Sequence, residues 1–309
     1  MAPFRFGVQL SNASSGASWR KLARTVEDLG YSTLFLPDHF GDQFGTLVAL
    51  TVAAEATTVL NVGSLVFGND YRHPIVLAKE VATLDLISEG RVEFGLGAGW
   101  MTTDYEQAGM ANDRPGVRIS RMVESLAIMK SLWSTGKATM AGEYYTVTDA
   151  VGAPLPHRRP HPKIIIGGGG KRILGIAARE ADIVGVNMNL ASGHAGREVL
   201  DSATAEYFDQ RIAWVREAAG DRFDTLELQC LTFLVQIVPD RKDAIARLSS
   251  AMDVPSTQIE GSPIALIGTI EQISEQLIER RERFGFSYIV VHESELEAFA
   301  PVVAALAGV

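Results

Sequence analysis

The sequence has little of several features on which common protein functions depend. Its single cysteine, Cys230, excludes an intrachain disulfide and a cysteine-based metal site. The formal net charge of −9 argues against a surface for binding nucleic acid, which needs a basic face. No apolar run approaches the length of a membrane span, and the N-terminus lacks the basic start and apolar run of a secretory signal. We therefore expect a cytoplasmic protein that binds neither a membrane nor nucleic acid.

Several catalytic motifs are also absent. No Gly-x-Ser-x-Gly nucleophile elbow occurs. The six histidines are spread too widely, with no His-x-Glu pattern, to indicate a metal site, so we predict no bound metal. Lys171 follows four glycines but precedes Arg172 instead of Ser or Thr, which excludes a phosphate loop of the nucleotide-hydrolase type.

Alternating strand and helix patterns run through the 309 residues, a length that suits one α/β barrel. Eight apolar segments read as strands, and each is followed by a helical pattern. The predicted strands are 5–10, 33–37, 61–67, 92–97, 163–166, 182–186, 226–238 and 287–292. This order predicts an α/β fold of the (β/α)8 TIM-barrel class, a single domain over residues 1–309, with insertions near 141–162 and 190–204.

A doubly wound sheet that binds a dinucleotide is the main alternative fold. In that fold the glycine turn follows the first strand, and an acidic residue ends the next one. Here the glycines follow the fifth strand, and Asp182 begins the sixth strand instead of ending it. The sequence therefore favours the barrel.

The fifth predicted strand leads into a run of four glycines, Gly167, Gly168, Gly169 and Gly170. Glycine lets the backbone turn sharply with its N–H groups outward, and a helix that begins near Lys171 would direct its positive end to the same place. These features predict a phosphate site, with Lys171 or Arg172 as charge partners. On these residues alone a flexible surface turn remains an alternative.

In a parallel barrel the functional residues lie at the C-terminal ends of the strands. His39 is the most informative of them, since it titrates near neutrality and adjoins the carboxylate of Asp38, which is expected to orient it. A buried, fully hydrogen-bonded histidine is the alternative. The residues expected around this pocket are Ser11, Asn12, Asp38, His39, Asn69, Asp70, Trp100, Met101, Thr102, Gly167 to Gly170, Asn187, Met188, Asn189, His292 and Glu293.

Five segments together resemble the bacterial luciferase-like oxidoreductases, in particular the actinobacterial branch that uses the deazaflavin coenzyme F-420. The segments are Phe35–His39, Tyr71–Pro74, Gly90–Trp100, Ile164–Gly169 and Leu266–Thr269. The resemblance implies a barrel that forms a homodimer and binds its cofactor at the C-terminal rim, with the cofactor phosphate on the loop after the fifth strand.

The resemblance also implies roles for individual residues. The third strand would carry a non-proline cis peptide that supports the cofactor ring, and counting back from Arg72 places it at Leu65–Val66. Asp38 would hydrogen-bond the ring or fix His39, and His39 would take a proton from a substrate hydroxyl. Residues expected to bind the cofactor are Asp38, Leu65, Val66, Gly167, Gly168, Gly169, Gly170, Lys171, Arg172 and Asn187.

One departure from the family concerns the substrate. The F-420-dependent sugar phosphate dehydrogenases carry a glutamate just after the glycines of the fourth strand, where this chain has Trp100. We therefore expect a small, apolar organic substrate at Trp100 and Met101. The hypothesis is an F-420-dependent hydride transfer; a monooxygenase that uses reduced FMN and oxygen, and a non-catalytic flavin or deazaflavin carrier, are the alternatives.

Overall fold

A computed structural model describes residues 2–194 and 196–309. In chain order its strands are β1 (Arg5–Gln9), β2 (Thr33–Leu36), β3 (Asn61–Ser64), β4 (Phe67–Gly68), β5 (Val92–Gly97), β6 (Lys137–Ala141), β7 (Thr146–Val151), β8 (Lys163–Gly168), β9 (Ile183–Val186), β10 (Glu227–Leu231), β11 (Leu234–Ile237), β12 (Ala265–Gly268) and β13 (Phe286–His292).

The main sheet is parallel and closes on itself. β1 pairs with β2 and β13, and the sheet continues from β13 through β10, β9 and β8 to β5. β5 pairs in turn with β3, which completes the ring. β3 and β4 are two segments of one barrel strand, so the described residues form eight strand positions. The predicted (β/α)8 barrel is confirmed.

Helices surround the barrel and connect its strands. They are α1 (Gly16–Asp28), α2 (Thr46–Ala56), α3 (Pro74–Ile87), α4 (Thr102–Ala108), α5 (Pro115–Thr135), α6 (Lys171–Glu180), α7 (Arg197–Asp201), α8 (Ala205–Ala219), α9 (Arg241–Met252), α10 (Ser256–Gly261), α11 (Ile270–Phe284) and α12 (Leu296–Leu306). Of the helices in residues 2–194 and 196–309, none is both long and apolar enough to cross a bilayer.

Two apolar layers explain why the strands read as continuous hydrophobic runs. Side chains alternate between the two faces of a strand, and a barrel strand is buried on both faces. Ile164 and Ile166 lie in the main core, where the outer face of the sheet packs against the helices. Ile165 packs inside the barrel, in a cluster with Phe35 and Tyr288.

Charged side chains close the N-terminal end of the barrel. Arg5 contacts Glu93 at 2.8 Å and Glu227 at 2.7 Å, and the Tyr288 hydroxyl donates to Glu93 at 2.8 Å. The Arg5 guanidinium also lies 4.1 Å from the centre of the Tyr288 ring. A ligand site is therefore left to the opposite end, where the C-termini of the strands meet.

The prediction of one long strand over 226–238 is wrong. The chain leaves the barrel at Thr232, whose N–H still donates to the Val290 carbonyl, whereas the N–H groups of Phe233 and Leu234 donate to the carbonyl of Ile264. β11 then pairs with β12 in a separate parallel sheet. The segment 255–268 contains α10 and β12.

Both predicted insertions contain secondary structure. The first insertion contains β7, which pairs with β6 in an antiparallel hairpin. The Glu124 carboxylate on α5 accepts hydrogen bonds from three backbone N–H groups in the turn between β6 and β7. The second insertion, predicted near 190–204, includes α7.

Candidate active site

The third barrel strand is interrupted at the mouth of the barrel. The peptide bond between Leu65 and Val66 is cis, which confirms the position predicted for it. The Gln9 side-chain amide donates to the Leu65 carbonyl at 2.9 Å. Val66 folds over the neighbouring strand, where a β-carbon on Gly97 would overlap its side chain. Glycine at 97 is thus required for the close approach of Val66. The support of a cofactor ring by Leu65 and Val66 remains a prediction.

Asp38 is fully engaged by structural partners. Its carboxylate accepts two bonds from the Arg72 guanidinium, at 2.6 and 2.9 Å. It also accepts from the Thr46 hydroxyl at 2.8 Å and from the Gly68 N–H at 3.0 Å. The residue is only 6% exposed. The expectation that Asp38 orients His39 is wrong, because all of these donors come from elsewhere and tie β2 to the end of the third strand.

His39 instead pairs with Asp104, a residue that the sequence reading missed. The His39 Nδ1 atom lies 2.6 Å from Asp104 Oδ2. The Tyr71 hydroxyl donates to the same oxygen at 2.9 Å, and the Phe40 N–H donates to Asp104 Oδ1 at 3.3 Å. Asp104 is 2% exposed, whereas the His39 side chain keeps 25% of its surface open. The histidine is therefore anchored at one ring nitrogen and accessible elsewhere.

The state of Tyr71 supports this arrangement. Burial, together with the hydrogen bond to the Asp104 carboxylate, raises the pKa of Tyr71 far above its ordinary value. The phenol therefore keeps its proton at neutral pH and acts as the donor to Asp104.

The sequence analysis predicted no helix in the segment that carries Asp104. It forms α4, which begins at Thr102 and ends at Gly109 in the left-handed conformation. Asp104 in the first turn and Gly109 just past the end are ordinary signals of helix boundaries. They could have revealed the helix but not the contact with His39.

Aromatic side chains surround the exposed edge of His39. The Trp100 ring meets the imidazole edge-on, with ring centres 6.0 Å apart. The Phe40 ring packs on the Tyr71 ring, with ring centres 4.6 Å apart, and Phe40 is 45% exposed. Further around the mouth, Phe233 is exposed and packs against His292, the last residue of β13, with ring centres 5.3 Å apart. The open part of the site is thus largely aromatic.

The glycine loop lies at the end of β8 and has the form of an anion cradle. A β-carbon on Gly169 would overlap the Met188 carbonyl, whereas Gly170 has open space around it. Gly170 is the N-cap of α6 and offers no side chain to the first N–H groups of that helix. The Asn187 N–H donates to the Gly168 carbonyl at 3.0 Å, which joins this loop to the end of β9.

The two basic residues after the glycines contact neighbouring helices. Lys171 Nζ lies 3.3 Å from Glu217 of α8, and both side chains are exposed. Arg172 donates to the Gly116 carbonyl at 2.8 Å and to the Ser120 hydroxyl at 2.7 Å, both on α5. Both side chains thus have partners on neighbouring helices, whereas the first N–H groups of α6 have no side-chain cap and are left as donors for an anion.

The remaining predicted residues also follow barrel strands, but not all of them are open. Asn12 donates to the Asp42 carbonyl at 3.0 Å, and the Ser11 carbonyl accepts from the Phe44 N–H at 2.9 Å. Asn69 is buried beside Tyr145, whereas Met101 is half-buried at the start of α4.

Comparison with known proteins fits this arrangement. The family model described as luciferase-like monooxygenase matches residues 1–288. The chain belongs to the luciferase-like monooxygenase family. Named relatives use F-420 or FMN. The resemblance to the luciferase-like oxidoreductases is therefore confirmed at the level of the family.

Named relatives in the luciferase-like family are distant. An F-420-dependent glucose-6-phosphate dehydrogenase of Intrasporangium calvum is 24% identical over 300 residues, 86% of each chain. An FMNH2-dependent dimethylsulfone monooxygenase of Pseudomonas putida is 25% identical over 62% of this chain and 58% of its own. For several curated relatives the chain spans only 58% to 65% of their length.

A solved structure shares the whole fold. The coenzyme F-420-dependent tetrahydromethanopterin reductase of Methanopyrus kandleri superposes with a TM-score of 0.77 over 98% of both chains, at 18% sequence identity. At that identity the likeness establishes the fold only. The choice between F-420 and FMN, and the substrate, have to be argued from the site.

Proposed function

We propose that this chain is an F-420-dependent oxidoreductase that transfers a hydride between the deazaflavin ring and a small organic substrate. The observation that carries the proposal is His39, anchored to Asp104 at 2.6 Å and open towards the mouth of the barrel. A hydride transfer that interconverts an alcohol and a carbonyl also moves a proton at oxygen, and a positioned histidine can accept or donate it.

The glycine loop and the Leu65–Val66 segment would hold the two ends of the cofactor. The N–H groups at Gly170 and the start of α6 would bind its phosphate, because an uncapped helix N-terminus attracts an anion. Leu65 and Val66 would support its ring, with Gln9 fixing the Leu65 carbonyl. When bound, the cofactor accepts or supplies the hydride. Asp38, which accepts hydrogen bonds from four donors, would stabilise the shape of this rim.

The chain's own residues account for the proton and the substrate. In the oxidising direction, loss of a hydride from the carbinol carbon forms a carbonyl, and the hydroxyl proton passes to His39. Trp100, Phe40 and Met101 would exclude water and pack against an apolar substrate. A sugar phosphate is disfavoured there, because Trp100 occupies the position at which the resemblance implies a glutamate in the sugar phosphate dehydrogenases.

Equilibrium titration of the full chain with F-420 and with FMN tests the cofactor. We expect F-420 to bind more tightly, and single-turnover oxidation of the reduced cofactor to depend on an organic acceptor rather than on oxygen. Tight FMN binding without F-420 binding would overturn the proposal. The Pseudomonas putida relative favours the second candidate, an FMN-dependent monooxygenase, which predicts oxidation that requires oxygen. Binding without any turnover would identify a carrier.

We also propose that the chain forms a homodimer through α2 and α3. The outer faces of these helices expose Val48 on α2, and Val76, Leu86 and Ile87 on α3. A helix that is apolar on all sides is normally buried, and Glu55 is the only charged residue of α2. Light scattering should give twice the 33.4 kDa chain mass, and the double variant Val48→Glu, Val76→Glu should halve it. A monomeric wild-type chain would refute this proposal.

A further inference from the structure

We propose that Asp104 is a positioning residue that keeps the proton of neutral His39 on Nδ1, so that Nε2 is the nitrogen that exchanges a proton with the substrate. Tyr71 holds Asp104 in place. This inference rests on the proposed function for its role in turnover. The state of the imidazole itself can be measured without any cofactor.

The geometry around Asp104 determines which atom carries the proton. An ionised carboxylate accepts hydrogen bonds and has none to donate. At 2.6 Å from Asp104 Oδ2, Nδ1 must therefore be the donor, and in the neutral ring Nε2 is then the free acceptor. The hydrogen bond made by one ring nitrogen thus fixes the role of the other.

Two further donors prevent the carboxylate from turning away. The Tyr71 hydroxyl donates to Oδ2 at 2.9 Å and the Phe40 N–H to Oδ1 at 3.3 Å. The Phe40 backbone comes directly after His39, so the same carboxylate fixes both the ring and the backbone that carries it. Asp104 is buried, and its charge is compensated by these three donors.

The same contacts predict what an amide does at this position. In Asp104→Asn the amide oxygen has to face the Phe40 N–H, because a backbone N–H cannot accept a hydrogen bond. The amide NH2 then faces His39 Nδ1 and donates to it. The ring proton must move to Nε2, which leaves no acceptor towards the substrate.

Nitrogen NMR of the full chain, labelled with 15N-histidine and free of cofactor, tests the inference directly. Six histidines contribute signals, and the spectrum of His39→Gln assigns those of His39. We expect neutral His39 to carry its proton on Nδ1 in the wild type and on Nε2 in Asp104→Asn. Tyr71→Phe should keep the wild-type tautomer, because the Asp104 carboxylate is still present as the acceptor of His39 Nδ1 and the Phe40 N–H still donates to it.

Asp70→Asn is the matched control. Asp70 is another rim residue with a buried carboxylate group, bound to Arg121 at 2.9 Å and to the Tyr105 hydroxyl at 3.1 Å. It lies outside the hydrogen bonds of His39, so the His39 tautomer should not change. A wild-type His39 with its proton on Nε2 would overturn the inference even if the Asp104 variants fail to fold.

Kinetics then separate this inference from the proposed function. If F-420 is turned over, Asp104→Asn should lower kcat by about 100-fold, in the range of a lost general base, with little change in KM. Asp104→Glu should restore part of the activity. Unchanged kcat in Asp104→Asn would sink the positioning role while leaving F-420 chemistry intact. Absence of all turnover, with the expected tautomers, would refute the proposed function only.

Discussion

Replacing Asp38 with asparagine should destabilise the barrel mouth strongly, because this carboxylate holds four donors. An amide has one acceptor, so it cannot satisfy all of them. The less costly orientation keeps the oxygen at the Oδ2 position, where it still accepts from Gly68 N–H and one Arg72 nitrogen. The amide NH2 then faces the second Arg72 nitrogen and the Thr46 hydroxyl, which are both donors in the wild type.

The expected loss follows from these contacts. Breaking a buried ion pair costs roughly 3–5 kcal/mol, but the Arg72 side chain keeps 23% of its surface open and can be partly hydrated. Allowing for that and for the two bonds retained, we expect the free energy of unfolding to fall by about 2–3 kcal/mol.

Urea unfolding, followed by tryptophan fluorescence and by circular dichroism, measures this loss. Arg72→Gln serves as the partner variant, and the double variant completes a cycle whose coupling energy isolates the pair. A loss below about 0.5 kcal/mol, the range of ordinary surface substitutions, would refute the reasoning. A stable Asp38→Asn protein that fails to bind either cofactor would instead favour the direct contact with the ring implied by the family resemblance.

Three further predictions concern the rim. Gly169→Ala should weaken cofactor binding because its β-carbon overlaps the Met188 carbonyl, whereas the matched Gly170→Ala has open space and should retain the fold of the loop; equal affinities would contradict this reading. Trp100→Glu should lower kcat/KM for apolar substrates, and unchanged values would count against an aromatic substrate wall. Burial lowers the pKa of His292, so this imidazole binds a proton more readily in the unfolded chain than in the folded one. The free energy of unfolding of the wild type should therefore fall as the pH drops below about 6.5. In urea titrations at pH 5 and 8, His292→Gln should lose part of that pH dependence.

Much of the fold follows from local patterns. Each barrel strand is short and apolar, and the helices between strands have clear ends, so the order of elements predicts a parallel α/β fold. The position of the four glycines after the fifth strand then favours the closed barrel over a doubly wound sheet. The long run 226–238 shows where this reasoning stops. Its two halves have the same apolar character, and only the pairing of Leu234 with Ala265 shows that the second half belongs to another sheet.

The hydrogen bonds of the site could not be read in the same way. Asp38 adjoins His39 in sequence, which made it the obvious partner, yet neighbouring residues of an extended chain point in opposite directions. The contact with Asp104 joins residues 65 positions apart and requires both the barrel and the short helix α4. Sequence reasoning located the rim and its residues, but the assignment of partners depended on the closed barrel. A histidine at the end of a barrel strand should therefore be matched with the carboxylates that follow the other strands before its own neighbour is considered.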